Sequence, residues 1–454
     1  MPQKPGDQKQ LLDPAPRDGE AATRKAGAEA PSATNGNESP GTSGLMELVC
    51  ERQNLKAALR RVRKNKGSPG IDRMTVEQLR DFLVTDWPRV REDLLADRYR
   101  PKPVRRVAIP KPDGGERELG IPTVLDRFIQ QALLQVLQPR FDPTFSQHSY
   151  GFRPNRSAHD AVRRAKQLVQ EGRSWVVDID LAKFIDRVNH DMLMGRLAKR
   201  IADRRVLRLI RGYLEAGSVL ANGLLVDREE GTPQGGPLSP LLANVFLDDV
   251  DKELEKRGHA FVRYADDLNV YVRSERAGER VMESVKRLFA KHRLEVNESK
   301  SAVAPVTERG FLGFSMLETP NGELRIRIDA TRLARFKERV RTATRRTIGR
   351  SLREVVGDLA KWLPGWRNYF RLTEHWELEA LDKWIRHRLR ALQLKHWRRS
   401  STAQRALRAL GVAEDLAREA AAHIGRWWAG SGRLLNAALP RRYFDELGLP
   451  RLAT

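Results

Sequence analysis

Two pairs of carboxylates stand out as residues able to do chemistry together. Asp178 and Asp180 lie two apart in Trp175-Val176-Val177-Asp178-Ile179-Asp180-Leu181, a run rich in β-branched residues. A strand turns residues two apart to the same face. Asp266 and Asp267 are adjacent between the apolar runs Ala260–Tyr264 and Leu268–Val272, which read as strand, tight turn, strand. Carboxylates gathered at one point repel one another, and divalent oxygen-seeking cations relieve the repulsion. Two Mg²⁺ roughly 3.5–4 Å apart can activate an attacking hydroxyl and stabilise a departing pyrophosphate, the chemistry of a nucleotide polymerase. Adjacent aspartates are also ordinary turn residues. The apolar flanks and the carboxylate strand upstream weigh toward a tip that faces other elements.

The elements that must position these groups can be read from periodicity. Apolar residues at helical spacing run from Leu48 to Val62 and end at Gly67-Ser68-Pro69-Gly70; a second helix is expected over about 75–97. Val104–Ile109 and Glu116–Ile121 alternate on either side of Asp113-Gly114-Gly115, which predicts a hairpin carrying Arg105, Arg106, Lys111 and Arg117. Helices are expected near 123–138, 157–169, 188–199, 204–215 and 238–257, with a small hairpin near 218–227. Ahead of the last helix, the glycines of Gly231-Thr232-Pro233-Gln234-Gly235-Gly236-Pro237 permit close backbone approach to a ligand. Beyond about 330 the sequence is helical and basic.

Composition bounds the possibilities. The chain has 454 residues, enough for two or three domains, and 83 Lys+Arg against 59 Asp+Glu give a net charge of +24, so a polyanion is the expected partner. Residues 321–454 alone hold 29 Lys+Arg against 14 Asp+Glu, together with seven of the nine tryptophans, so aromatic and cationic side chains alternate there. Cys50 is the single cysteine, which excludes an intrachain disulfide and a cysteine-rich zinc site and fits a reducing, cytoplasmic setting, nucleoid-associated if the source is bacterial. No apolar run approaches a membrane span, and no secretion signal is evident. Residues 1–45 contain no Val, Ile, Phe, Tyr, Trp or Cys and are expected to be a disordered tail.

Several stretches together resemble the reverse transcriptases, and among them the maturases encoded by group II introns. Tyr264-Ala265-Asp266-Asp267 is similar to that family's Y-A-D-D box, Val177–Phe184 to its first aspartate motif, Thr232–Gly236 to its T-P-Q-G-G loop, Ile109–Arg117 to a fingers motif, and Ser149–Pro154 also matches. The resemblance runs from about 48 to 450. It implies a right-hand α/β polymerase, with fingers and a palm built on an antiparallel sheet over 46–320, an α-helical thumb over 321–360, and an α-helical maturase domain over 361–454. The implied activity is RNA-templated DNA synthesis with two Mg²⁺, joined to binding and splicing of a group II intron RNA; template, primer, dNTPs and target DNA are the other implied partners.

Carried over by residue, the resemblance implies metal ligation by Asp180, Asp266 and Asp267. Asp180 is preferred because Asp186 follows six residues later, and Asp178 stays open as the alternative. Lys111 and Arg117 would meet the triphosphate, Gln234 and Gly235 the nucleotide or primer, and Lys300 the leaving pyrophosphate. Ile185 stands where the family usually has an aromatic ring under the sugar, which predicts weaker or differently built exclusion of ribonucleotides. Arg332, Arg335, Arg339, Arg345 and Arg346 would track a duplex backbone, with Trp366 and Arg367 of Leu363–Phe370 in the RNA-binding region. Helix-bundle core is the other expectation for about half of the tryptophans. The end at Thr454 predicts no H-N-H endonuclease segment and no second-strand nicking. A splicing factor without polymerase activity and a reverse transcriptase of another setting are the rival readings.

Overall fold

The computed structural model describes residues 44–110, 115–220, 222–345, 347, 349–423, 425, 428 and 433–453, so the expected tail falls almost wholly outside the described residues. The chain divides into two compact units at Pro305/Val306. The first opens with α1 (Leu45–Val49) and α2 (Arg52–Asn65), where one continuous helix was expected. Glu51 is extended at φ −65°, ψ 137°, which breaks the helix although the apolar spacing runs on. Then come α3 (Leu79–Leu95), β1 (Val104–Pro110), β2 (Glu116–Ile121), α4 (Val124–Phe141), α5 (Ala158–Gln170), β3 (Trp175–Ile179), α6 (His190–Ala198) and α7 (Arg204–Glu215). The unit closes with β4 (Ser218–Val219), β5 (Leu225–Val226), α8 (Ser239–Lys256), β6 (Ala260–Tyr264), β7 (Asp267–Val272), α9 (Glu275–Lys291) and β8 (Ala302–Pro305).

Local chemistry sets several of these boundaries. Thr123 caps α4 by accepting the Asp126 N–H, Ser157 and Asp160 form a reciprocal capping box on α5, and Ser274 caps α9 through the Ala277 N–H. Helix α4 is buried through most of its length, with Phe128, Ile129, Leu133 and Leu137 in the core. Helix α9 is amphipathic, and Val281, Val285, Leu288 and Phe289 recur at helical spacing on its buried side.

Two four-stranded sheets follow, ordered β2-β1-β4-β5 and β6-β7-β3-β8. In the second, β3 lies between β7 and β8 and is antiparallel to both. Val176, Val177 and Ile179 of β3 and Leu268 and Val270 of the neighbouring β7 are buried, so the central strand lies in the core.

The second unit starts with an antiparallel hairpin of β9 (Phe314–Glu318) and β10 (Leu324–Ile328), inside which the expected palm–thumb boundary at 320/321 falls. Leu324, Ile326 and Ile328 are buried while Arg325 and Arg327 alternate outward, the pattern of a half-buried strand. The remainder of this unit is helical: α10 (Ala330–Ala343), α11 (Leu352–Ala360), α12 (Leu363–Phe370), α13 (His375–Trp397), α14 (Ser400–Ala409), α15 (Glu414–Ala422) and two short helices at Arg433–Ala438 and Arg441–Glu446. Among the described residues no helix is long and apolar enough to cross a membrane.

Candidate active site

Strand register decides which carboxylates meet. Ile179 pairs with Leu268 and Asp178 with Asn269, so the next step along the ladder carries Asp180, just beyond β3, to the level of Asp267. Asp178 sits within the sheet instead, where the Asn269 amide, oriented to satisfy both its atoms, donates to Asp178 Oδ1 at 2.9 Å. Asp180 is braced from one loop: Asn297 Nδ2 donates to its Oδ2 at 3.1 Å, its own N–H donates to Ser301 Oγ at 3.0 Å, and Lys300 Nζ lies 3.8 Å from Oδ2.

The carboxylates face one another at electrostatic range. Recession into the protein and then the charges of Asp266, Asp180 and Asp178 push the Asp267 carboxyl up to about 7, while Lys300 opposes the shift. Asp267 keeps an exposed surface, so its group is recessed rather than sealed and the neighbouring charges carry the argument. Among the described residues no three His, Cys, Asp or Glu side chains close on a common point as a ready-made metal cage. The donor set nonetheless suits hard divalent cations: all-oxygen, mutually repelling, and held in part by a lysine.

The loop before α8 is stitched to the segment after β3. The Gly231 N–H donates to Val188 O at 2.8 Å, the Thr232 N–H to Ile185 O at 2.7 Å, and His190 Nε2 lies 2.7 Å from Gly231 O. Gly231 has φ +85°, and a Cβ there would sit 2.7 Å from the Asp186 carbonyl, so only glycine fits. Gln234 Nε2 reaches both Asp186 oxygens, at 3.2 and 3.3 Å, and Gln234 O accepts the Gly120 N–H of β2 at 2.9 Å. Gly235 is exposed beside it, and Ile185 is half-buried against the core. Gln234, Gly235 and Ile185 therefore share one wall. Lys111 lies outside the described residues, and Arg117 is placed by backbone register alone, opposite Ile109.

Sequence reasoning passed over the residues behind the aspartate hairpin. Arg263 is buried, and so are Asp251, Asn244 and Ser149, all of which it bonds. Arg153, also buried, joins Asp142 to the carbonyls of Ser146 and Ser149. The signal was an arginine inside Phe261-Val262-Arg263-Tyr264, since a cation there is kept only with partners.

Residues 109–316 match the reverse transcriptase (RNA-dependent DNA polymerase) family, and residues 333–411 match the group II intron maturase-specific domain. The chain thus carries a reverse transcriptase domain and a group II intron maturase-specific domain. The chain is similar to Protein YkfC of Escherichia coli, 39% identical over 219 residues, covering 47% of this chain and 57% of that protein. The group II intron-encoded protein LtrA of Lactococcus lactis subsp. cremoris is 41% identical over 155 residues, 34% of this chain and 26% of LtrA. A putative COX1/OXI3 intron 1 protein of Saccharomyces cerevisiae is 26% identical over 385 residues, 72% of this chain and 45% of that protein. The chain thus spans little more than half of these relatives at most. A reverse transcriptase domain implies use of divalent metal generally.

In the maturase-side unit, Arg332, Arg335, Arg339 and Arg345 are exposed, the first three along α10. Arg339 lies over the Trp362 ring at 4.1 Å, and Arg346 lies outside the described residues. Trp366 packs at 4.0 Å from Phe336 and 4.7 Å from Phe370, and is half-buried in that aromatic cluster. Arg367 Nη1 donates to Arg451 O at 3.4 Å. Among the described tryptophans, Trp376 and Trp428 are the exposed ones.

Proposed function

We propose that this chain is an RNA-directed DNA polymerase that also binds a group II intron RNA and assists its splicing and mobility. The observation carrying the reading is the strand register that brings Asp180 level with Asp267 at one end of the antiparallel sheet, within electrostatic range of one another and of Asp266, with Lys300 3.8 Å from Asp180. These three residues would hold two Mg²⁺, which when bound lower the barrier by activating the primer 3′-hydroxyl and neutralising the departing pyrophosphate. The chain's own groups do the rest. Asn297 and Ser301 fix Asp180, Lys300 offers a cation beside the carboxylates, and Lys111 and Arg117 of the β1–β2 hairpin meet the triphosphate. Gln234, held by Asp186, and Ile185 border the nucleotide. The exposed arginines of α10 meet the sugar–phosphate backbone, and the maturase-side unit stabilises the folded intron RNA, whose own groups perform the splicing chemistry.

Primer extension on an RNA template with Mg²⁺, with dNTPs or rNTPs, is the test. Wild type extends with dNTPs, and Asp266→Ala does not, while both bind RNA. Absence of extension by folded, RNA-binding wild type would overturn the polymerase reading and leave the splicing-factor alternative.

A further inference from the structure

A buried arginine behind the aspartate turn is bonded more completely than packing alone requires. Arg263 has five N–H donors. Nε and Nη2 take the two oxygens of Asp251 at 2.7 and 2.6 Å, Nη2 also takes Ser149 Oγ at 2.8 Å, and Nη1 takes Asn244 Oδ1 at 3.1 Å and the Ala265 carbonyl at 2.7 Å. The last of these acceptors belongs to the turn that carries Asp266 and Asp267. Ala265 has φ +59°, a conformation a side-chain-bearing residue adopts at a cost, so the turn needs outside support to persist.

That support comes from two sides. The Ser149–Phe152 loop lies against the back of the turn: the Tyr150 N–H donates to Arg263 O and the Arg263 N–H to His148 O, both at 2.8 Å. A Cβ on Gly151 would stand 2.2 Å from Ala265 N. Asn244 ties the loop to the same centre, since its Nδ2 donates to Gly151 O at 2.9 Å while its Oδ1 accepts from Arg263.

We propose that Arg263, anchored by Asp251, Asn244 and Ser149, is a positioning residue of the polymerase site: its guanidinium holds the Ala265 carbonyl and so fixes the turn that aims Asp266 and Asp267. This rests on the polymerase reading above. A fork is needed because one end must grip Asp251 while the other reaches Ala265; a lysine ammonium keeps the charge but concentrates its donors on one atom. Small misplacement of reacting groups can cost on the order of 100-fold in rate.

The test compares wild type, Arg263→Lys and Gly151→Ala by circular dichroism, by kcat and KM for dNTP in primer extension, and by Mn²⁺ binding in electron paramagnetic resonance, with Asp266→Ala as the site-less control. Expected are folded variants, kcat lower by about 100-fold with KM for dNTP within about threefold, and Mn²⁺ binding weakened toward the control. Gly151→Ala reaches the same turn without touching the buried charge, so it decides the matter if Arg263→Lys fails to fold. Wild-type kcat and Mn²⁺ affinity in folded Gly151→Ala, or rescue of both by Arg263→Lys, would overturn the proposal. If wild type extends no primer, the polymerase reading falls by itself, and the Mn²⁺ comparison still decides whether Arg263 aims the carboxylates.

Discussion

Gly231→Ala strikes the seam between the Thr232–Gly236 loop and the segment that follows Asp180. Three effects compete. A left-handed backbone costs an L-residue about 1–2 kcal/mol. The new Cβ would lie 2.7 Å from the Asp186 backbone, which cannot swing away as a side chain would, and relief of such overpacking costs about 1–3 kcal/mol. Against these, alanine reduces the entropy of the unfolded chain and returns about 0.4–1 kcal/mol. The net is a local destabilisation of about 1–5 kcal/mol, or roughly 5- to 5000-fold in an opening equilibrium. Because the chain has two compact units, global unfolding would blur the effect, and hydrogen exchange read by mass spectrometry is the better assay. The amides of Gly231 and Thr232, bonded to Val188 and Ile185, should exchange faster by that factor, while α9 amides stay as in wild type. Protection at Thr232 within twofold of wild type would refute the reasoning.

Four further outcomes follow from the same geometry. Ile185→Phe should raise the preference for dNTPs over rNTPs, measured as a ratio of kcat/KM values; equal ratios in variant and wild type would remove Ile185 from sugar selection. Arg153→Met removes the partner of the Asp142 carboxylate and the hydrogen bonds to the carbonyls of Asp142, Ser146 and Ser149, at a cost of about 3 kcal/mol, since Asp142 keeps some solvent contact; thermal unfolding of the variant checks it. The hydrogen bonds of Arg205 hold the Glu47 carboxyl below its usual range; at Asp203 burial pushes the carboxyl up, and the Arg205 hydrogen bonds and charge together with the Met46 N–H bring it below its usual range. Their contribution is therefore full above about pH 5 and lost as pH falls through the depressed values, so Arg205→Gln should flatten acid destabilisation there in a pH series of denaturation midpoints. Arg332→Ala with Arg335→Ala should lower the slope of log affinity for RNA against log salt by about 2, and an unchanged slope would take both off the phosphate backbone.

The aspartate hairpin was legible because 260–272 combines apolar strands with a tight turn, whereas the positions of Asp178 opposite Asn269 and of Asp180 one step beyond Ile179 come only from strand register. Other features hid for physical reasons. The break at Glu51 leaves the apolar spacing of the flanking helices intact, so periodicity reads straight across it. The Leu324-Arg325-Ile326-Arg327-Ile328 strand alternates cleanly, yet lies within 321–360, where the resemblance implied an α-helical thumb. The Arg263 cluster draws on residues 12, 19 and 114 positions away in sequence, a convergence that only tertiary structure makes visible.

The strand order β6-β7-β3-β8 also sets a timetable for the birth of that sheet. Strand β3 is made early, yet both neighbours come late: Asp178 waits for Asn269 on one edge and for Ala302, 124 residues on, at the other. At about 5–20 residues per second on the ribosome, that interval is roughly 6–25 seconds. The β-branched run Trp175–Ile179 has two unpaired edges until β7 is made and one until β8 is made, the condition that invites pairing with a foreign strand. Yield of soluble protein during synthesis should accordingly be governed by chaperone cover over this window, and a chain released before Pro305 should aggregate through β3.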